Sequence, residues 1–265
     1  MRYFHPSRFS LLLAVCFLVS LAGAESPFRL IAHRGGVVDE NHAENSPAAV
    51  RTAIERGYWM LEVDVRSTSD NRAILQHDAD FQKFYGDPRP VETMSWDQVA
   101  KLRAQPGDSR PMLFAELVEM CAGKVGLMID VKGDHSQPFY QALAADLANH
   151  NMLSETMVLG SPLTRSFFLG KARVQADRRQ IETAVEAGED VGKRYFLFEW
   201  GLVLDQPAIQ RARQLGVTVV PSVNWFHYER HGQDPLKGAA RDIANLKRWG
   251  VTHFQIDSIY EQFLQ

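Results

Sequence analysis

The chain has only two cysteines, Cys16 and Cys121, among its 265 residues. Cys16 lies inside an apolar N-terminal run, and a chain that loses this run keeps one cysteine and cannot form an internal disulfide. Stability must then come from a hydrophobic core, for which the 45% apolar content is sufficient. Cys121 follows the apolar residues Leu117 and Val118 and is predicted to be a buried, unreactive thiol.

An excess of positive charge is also missing. The chain has 29 Lys and Arg against 32 Asp and Glu, which gives a formal net charge of -3. Proteins that bind nucleic acid usually carry a basic surplus that neutralises phosphates. We therefore expect no nucleic-acid partner, whereas a small charged substrate remains compatible with this composition.

Beyond the N-terminus there is no long hydrophobic run. Residues 1–24 contain two arginines, an apolar run over 9–21 that is too short to span a bilayer, and a small-residue site that ends at Ala24. This pattern predicts a cleaved signal peptide, and residues 25–265 would then form one exported domain, periplasmic or secreted, with no stable membrane span. An uncleaved membrane anchor is the alternative that the short run disfavours.

Short apolar runs alternate with amphipathic segments along the rest of the chain. Strands are predicted at 28–32, 60–65, 73–76, 125–131, 156–159, 172–175, 195–198, 217–220 and 254–256. Helices are predicted at 46–57, 138–149, 207–215 and 237–249, and a glycine follows or ends three of them. Repeated strand, helix and stop signals indicate βα units and a parallel sheet.

About eight such units fit in this length, which favours an α/β fold with a single (β/α)8 TIM barrel over a doubly wound sheet. Active sites of such barrels lie at the C-terminal ends of the strands. Polar residues are found at or directly after the predicted strand ends: His33, Glu62, Asp64, His77, Asp130, Lys132 and Asp257. These positions define the candidate site.

Three carboxylates have the pattern of a metal site. Glu62 and Asp64 are two residues apart on a strand, so their side chains point the same way and can share a cation. Two hard oxygen ligands favour Mg²⁺ or Ca²⁺ over Zn²⁺. A carboxylate pair on a solvated edge strand is the alternative.

Asp130 lies in an apolar strand where an unpaired charge is costly, and it would supply a third ligand. A buried ion pair between Asp130 and Lys132 is the alternative there.

Two histidines follow predicted strands. His33 and His77 at neighbouring strand ends would be placed as a general acid and a general base. Arg34 offers a bidentate fork to a phosphate group, or to a carboxylate instead. Lys132 points the same way as Asp130 and would bind a phosphate oxygen.

In order and spacing these clusters resemble the glycerophosphodiester phosphodiesterase family, whose typical strings are HRG, PENT, ExDV, HD, ExK and a closing GVDGIITD. The corresponding segments here are His33-Arg34-Gly35, Ala43-Glu44-Asn45-Ser46, Leu61-Glu62-Val63-Asp64-Val65, His77-Asp78, Asp130-Val131-Lys132, and Gly250-Val251 with Ile256-Asp257. Each string is short, but their shared order is specific.

The resemblance implies a metal-dependent phosphodiesterase on a TIM barrel, acting on a small phosphodiester. His33 and His77 would be catalytic. The ligands of one divalent cation, Mg²⁺ or Ca²⁺, would be Glu62, Asp64 and Asp130, and the substrate-binding residues would be Arg34, Glu44 and Lys132. In such enzymes the glycerol hydroxyl next to the phosphate attacks it, and water opens the cyclic phosphate. Which histidine is the base in the first step stays open.

Three features depart from the family pattern. Asp130 replaces the usual Glu, which leaves the metal preference open. Residues 220–224 replace a WTVN string, so Trp225 or Phe226 would have to supply the aromatic lining. About 34 residues separate Asp78 from the next recognisable element, too few for a substantial cap, so the pocket would be open and could admit a larger diester.

Two further functions therefore stay open. One is hydrolysis of a lysophospholipid, with transient lipid contact through Trp225, Phe226 and Tyr228 near the mouth. The other is a non-catalytic phosphodiester-binding protein, because a fold alone does not fix a function.

Overall fold

The computed structural model describes residues 27–105 and 107–264, together with Met1. The predicted signal peptide, apart from Met1, lies outside the described residues. Within the described part of the chain, no helix is both long enough and apolar enough to cross a membrane.

The described residues form strands and helices in regular alternation. The strands are β1 (Arg29–Ala32), β2 (Met60–Ser67), β3 (Ala73–Leu75), β4 (Asp80–Phe81), β5 (Asp87–Pro90), β6 (Gly126–Val131), β7 (Met157–Gly160), β8 (Arg173–Ala176), β9 (Tyr195–Trp200), β10 (Thr218–Val223) and β11 (His253–Ile256). The helices are α1 (Pro47–Glu55), α2 (Gln82–Tyr85), α3 (Trp96–Val99), α4 (Phe114–Cys121), α5 (Gln137–Asn149), α6 (Pro162–Phe168), α7 (Arg178–Glu186), α8 (Val191–Arg194), α9 (Gln206–Gln214), α10 (Trp225–Arg230) and α11 (Pro235–Arg248). Short 3-10 turns cover His33–Gly35, Val91–Thr93, Leu153–Glu155 and Ser258–Phe263.

Eight parallel strands close into a barrel in the order β1, β2, β6, β7, β8, β9, β10 and β11, and β11 pairs with β1. The TIM-barrel prediction is confirmed. The predicted strand at 73–76 is not a barrel strand, because β3 pairs antiparallel with β2. The connection between Ser67 and Ala73 is too short for the crossover that a parallel neighbour requires.

Side-chain alternation along β2 creates the site. Leu61, Val63 and Val65 belong to the large core between barrel and helices, whereas Met60 packs inside the barrel. Since alternate residues share a face, Glu62 and Asp64 point the same way as Met60, toward the barrel axis. The strand therefore has apolar residues toward the helices and carboxylates at the barrel mouth.

The chain between β3 and α4 forms a small insertion on the barrel. Strands β4 and β5 pair with each other, and Phe81, Val91, Met94 and Val99 form an apolar cluster with Ile74 of β3. This segment is short, as the sequence indicated, but it has a core of its own. That core fixes α2 beside the barrel mouth.

Local signals account for the helix ends that were predicted. The Ser46 hydroxyl accepts a hydrogen bond from the Ala49 amide at 3.2 Å, and Pro47 is the first residue of α1. Helix α4 was not predicted, although its buried residues Phe114, Leu117, Val118 and Cys121 have helical spacing. The prediction for Cys121 holds within α4, since the thiol is buried and burial raises its pKa to about 12.

Candidate active site

The residues singled out in the sequence gather at one end of the barrel. His33 and Arg34 directly follow β1, Glu62 and Asp64 lie in β2, and Asp130 lies in β6. Lys132 directly follows β6, and Glu44 lies in the connection between β1 and α1. His77 follows β3, so it reaches the mouth from a strand beside the barrel and not, as expected, from a barrel strand.

His33 is oriented by a carboxylate from the last barrel strand. Its Nδ1 lies 2.6 Å from Oδ1 of Asp257, which directly follows β11. The other oxygen of Asp257 accepts a hydrogen bond from the Trp225 amide at 2.6 Å. Burial opposes a charge on His33, but the hydrogen bond and the charge of Asp257 outweigh it and raise the pKa of His33.

His77 has a comparable partner but a different second contact. Its Nδ1 lies 2.7 Å from Oδ1 of Asp78, and its Nε2 lies 3.2 Å from Nη2 of Arg34. A guanidinium group can only donate, so the Nε2 of His77 accepts and the Nδ1 proton faces Asp78. The Arg66 guanidinium donates to the His77 carbonyl from Nε at 3.1 Å and from Nη2 at 2.8 Å, which fixes the backbone.

The turn after β1 positions Arg34 through an unusual backbone. Arg34 has a φ of 53° and Gly35 a φ of 79°, and the Arg34 amide donates to Oε2 of Glu62 at 2.9 Å. Asn45, with a φ of 56°, donates its amide to the Arg34 carbonyl at 2.7 Å. A Cβ on Gly35 would lie 2.8 Å from the Asn45 Cα. The two turns therefore approach so closely that glycine is required.

Glu44 is a buried carboxylate with two cations. Its Oε2 accepts from Nη1 of Arg34 and from Nζ of Lys83, each at 2.8 Å. The carboxylate alternative considered for Arg34 is thus realised for one half of the guanidinium. The other half faces His77.

The three predicted metal ligands lie together. Asp64 and Asp130 are direct neighbours in the register of β2 and β6. Ligand oxygens of Glu62, Asp64 and Asp130 all lie within 4.8 Å of one another. The ammonium of Lys132 lies 2.9 Å from Asp64 and 2.5 Å from Asp130, and the Asn45 amide group donates to Asp64 at 3.1 Å.

The electrostatics of this cluster suit a divalent cation. Burial and the neighbouring charge of Asp64 raise the pKa of Glu62 to about 7. Burial also acts to raise the pKa of Asp64, but Lys132 outweighs it and the pKa is lowered. One ammonium among three carboxylates leaves negative charge in excess, and hard oxygen ligands fit Mg²⁺ or Ca²⁺. The edge-strand alternative is wrong, because β2 is paired on both sides and both carboxylates are buried.

Aromatic residues line the side of the mouth next to His33. The rings of Phe226 and His33 are 6.2 Å apart, and Trp200 stacks on the buried His227 at 4.4 Å. Trp225 is 37% exposed. Tyr228, which we expected near the mouth, is buried, and its hydroxyl donates to Asp242 at 3.2 Å.

Sequence reasoning left several contributing residues without a role. Asp257 was placed at a strand end, but its pairing with His33 depends on closure of the barrel between β1 and β11. Asp78 was recognised only as part of a motif. Asn45 could have been found from its place in the PENT-like string. Lys83 lies in the insertion, where no periodicity or motif distinguishes it.

Comparison with known proteins agrees with this geometry. Residues 33–151 match the model of the "Glycerophosphoryl diester phosphodiesterase family". The chain is 30% identical to human glycerophosphodiester phosphodiesterase 1 over 122 residues, 43% of this chain and 36% of that protein. The rat protein of the same name is 30% identical over 112 residues, 39% of this chain and 33% of that protein. The chain thus spans about a third of the length of these curated relatives.

Solved structures share the fold over most of the chain. A glycerophosphoryl diester phosphodiesterase from Parabacteroides distasonis has a TM-score of 0.71 at 18% identity and covers 90% of this chain and 86% of its own. A phosphodiesterase from Oleispira antarctica, solved with the product sn-glycerol-3-phosphate, has a TM-score of 0.67 at 14% identity and covers 88% of this chain and 94% of its own. The matched segment 33–151 holds all eight predicted site residues, so the part of the chain that carries the candidate site is similar to the glycerophosphoryl diester phosphodiesterase family.

Proposed function

We propose that this protein hydrolyses glycerophosphodiesters to glycerol 3-phosphate and an alcohol. The observation that carries the proposal is a pair of histidines, His33 and His77, each with a carboxylate on Nδ1, beside a cluster of three carboxylates. The family match and the product bound to the Oleispira antarctica structure support it. Acid and base catalysis at one phosphorus requires one group that is protonated and one that is not.

The contacts favour opposite roles for the two histidines. The Nε2 of His77 is an acceptor, so His77 is the base that takes the proton from the glycerol hydroxyl next to the phosphate. That oxygen bonds to phosphorus, and the bond from phosphorus to the alcohol oxygen breaks. His33, whose pKa is raised, gives its proton to the departing oxygen. In the second step His33 takes a proton from water, the water oxygen opens the cyclic phosphate, and His77 returns its proton to the glycerol oxygen.

The cations of the site hold the phosphate. Glu62, Asp64 and Asp130 would bind Mg²⁺ or Ca²⁺, which supplies charge stabilisation of the phosphoryl oxygens when bound. The ammonium of Lys132 contacts Asp64 and Asp130, so it would bind a phosphate oxygen that lies next to the cation site. Arg34, fixed by Glu44 on one side, offers its second nitrogen to the phosphate.

The first test is glycerol 3-phosphate release from glycerophosphocholine by the chain from Glu25, in EDTA and then with Mg²⁺ or Ca²⁺ restored. We expect turnover that EDTA abolishes and a cation restores. His33→Ala and His77→Ala should each lose about 1,000-fold or more in kcat. The matched control is His150→Ala, since His150 is exposed at the end of α5.

Either of two results would contradict the proposal. Turnover that survives both histidine substitutions would exclude His33 and His77 as the acid and base of the reaction. Binding of diesters without turnover, under any cation, would support the non-catalytic binding protein instead.

Internal attack by the glycerol hydroxyl has its own test. A diester that lacks the hydroxyl next to the phosphate should bind with a similar Kd but should not be cleaved, because the attacking oxygen is missing. Calorimetry gives the binding, and release of the alcohol gives the rate. Rapid cleavage of this analogue would show that water attacks the diester directly.

A second candidate function, hydrolysis of lysophospholipids, is favoured by one observation. Apart from Met1, the exposed large apolar side chains of the described residues are Leu163, Val203, Trp225, Leu236 and Ile259. Each lies in a segment that follows the C-terminal end of β7, β9, β10 or β11, on the same face as the site. Exposed apolar side chains around a mouth suit a lipid tail.

Choline release from lysophosphatidylcholine, compared with glycerophosphocholine, separates the two substrates. A kcat/KM for the lipid equal to or above that for the soluble diester would favour the lipid. The variant Trp225→Ser should then reduce the lipid rate alone. Inertness toward the lipid would exclude this candidate.

We also propose that the chain is exported and cleaved after Ala24. N-terminal sequencing of protein recovered from the periplasm or medium of an expressing bacterium should begin at Glu25. Retention of Met1 in a cytoplasmic fraction would overturn this.

A further inference from the structure

Lys83 reaches the candidate site from outside the barrel. It lies in α2, in the insertion between β3 and α4, and its ammonium is 2.8 Å from Oε2 of Glu44. The Glu44 side chain is only 6% exposed, whereas that of Lys83 is 46% exposed. A buried carboxylate at the mouth therefore holds a cation that remains open to solvent on its other side.

The insertion holds α2 firmly in place. Tyr85 packs edge-on against the buried Phe81 with ring centroids 5.6 Å apart, and the Phe84 carbonyl accepts from the Gln105 amide at 2.8 Å. The Lys83 ammonium lies 4.5 Å from the centre of the Phe84 ring. Lys83 is thus presented by a packed element rather than by a free loop, which lowers the entropy cost of using it for binding.

One oxygen of Glu44 collects two cationic donors. Arg34 and Lys83 both donate to Oε2 of Glu44, next to His77, and a carboxylate oxygen of Asp78 also lies within 4.8 Å of this group. An incoming phosphodiester oxygen is an acceptor of the same kind and can share these two donors with Glu44. Arg34 must also leave Nε2 of His77 before that atom can accept a proton, and an incoming phosphate oxygen gives it a new acceptor.

We propose that Lys83 is a substrate-binding residue that, together with Arg34, holds a non-bridging oxygen of the substrate phosphate. The inference rests on the proposed phosphodiesterase function and makes the insertion part of the site. Because the contact is to the phosphate and not to the alcohol, Lys83 acts on all glycerophosphodiesters alike. The simpler reading, a salt bridge that only docks the insertion on the barrel, predicts a different outcome.

The experiment compares Lys83→Gln, Lys83→Arg and the wild type. The control is Lys101→Gln, an exposed lysine at the end of α3 in the same insertion. The measurements are KM and kcat for glycerophosphocholine and glycerophosphoglycerol, the Kd of glycerol 3-phosphate by calorimetry, and Tm. Glycerol 3-phosphate carries more negative charge than a diester, so its affinity is the sharper probe of a lost cation.

For Lys83→Gln we expect KM to rise about tenfold for both diesters, with kcat within about threefold of the wild type. The Kd of glycerol 3-phosphate should rise by more than KM does. Lys83→Arg should restore both within about threefold, and Lys101→Gln should match the wild type.

Unchanged KM and Kd in Lys83→Gln would overturn the inference, and a lower Tm alongside them would show a docking role only. A change confined to one of the two diesters would also overturn it, since the contact would then be to the alcohol. If the wild type cleaves no diester, the proposed function fails and the inference falls with it.

Discussion

At the scale of single residues, the two histidines differ in the carboxylates that orient them. The Asp257 side chain is 27% exposed and is also fixed by the Trp225 amide, whereas Asp78 is 37% exposed and follows His77 directly in the chain. Burial strengthens an ionic hydrogen bond because less water competes for it. We therefore expect loss of the contact between Asp257 and His33 to have a larger effect than loss of the contact between Asp78 and His77.

Asp257→Asn should lower kcat by about 100-fold or more, because the orienting charge is lost. With Asp257 gone, burial remains and lowers the pKa of His33. If His33 is the acid, activity falls as pH rises through this pKa, so the alkaline limb of the pH profile should move to lower pH in the variant. A pH profile of kcat from pH 5 to 9 measures this.

The control is Asp242→Asn, which removes a buried carboxylate beside Tyr228, away from the site. Its alkaline limb should coincide with that of the wild type. An unshifted limb in Asp257→Asn would mean that His33 is not the acid.

At the scale of elements, the connection between β1 and α1 is a tight double turn. A Cβ on Gly36, which has a φ of 138°, would lie 2.2 Å from the Ala49 carbonyl oxygen. The Val37 amide donates to that same oxygen at 3.2 Å. The position of Arg34 thus depends on close packing of this turn on α1.

Gly36→Ala should destabilise the protein by about 3 kcal/mol, from backbone strain together with the clash. Gly57→Ala is the matched control, because Gly57 also has a positive φ (74°) but has nothing within 4 Å of its added Cβ. It should cost only about 1 kcal/mol. Urea unfolding of both variants gives the difference, and equal losses would show that strain alone accounts for Gly36.

The insertion is the second element on which the site depends. Phe81 is fully buried in its apolar cluster. Phe81→Ala should remove about 3 kcal/mol from the stability of this cluster. It should also raise KM as Lys83→Gln does, since α2 would no longer be held beside Glu44. Limited proteolysis should then cut first within 80–111, and a KM equal to that of the wild type would show that α2 stays in place without Phe81.

At the scale of the whole molecule, histidines lie at both ends of the barrel. His253 lies at the start of β11, at the end opposite the site, and burial together with Arg29 lowers its pKa to about 4. The unfolded chain binds this proton near pH 6.5. Between these values the unfolded state holds more protons, so the free energy of unfolding should fall as pH decreases from 6.5 to 4.

Between pH 7 and pH 5 the wild type should lose free energy of unfolding as His253 becomes protonated in the unfolded state. His253→Gln should reduce this loss by about 1 kcal/mol, after allowance for the partial exposure of the ring. Urea unfolding at the two pH values, for the variant and the wild type, measures the difference. If the free energy of unfolding falls equally between the two pH values in the variant and the wild type, His253 either remains uncharged in the unfolded state or is protonated in the folded one.

The sequence by itself determined the alternation of strands and helices and the order of the polar clusters, because both follow from local periodicity and short motifs. An apolar run as short as 125–131 favours a strand buried on both faces. It also determined that Glu62 and Asp64 share a face, since alternation along a strand is a property of the backbone.

Only the tertiary structure decided which of these residues meet. The pairing of His33 with Asp257 needs the barrel to close between its first and last strands, 224 positions apart in the chain. The antiparallel turn of β3 and the reach of Lys83 to Glu44 depend on a short connection and on a small core that has no sequence period. Local patterns are fixed by neighbouring residues, whereas these contacts are fixed by packing between segments that are distant in sequence.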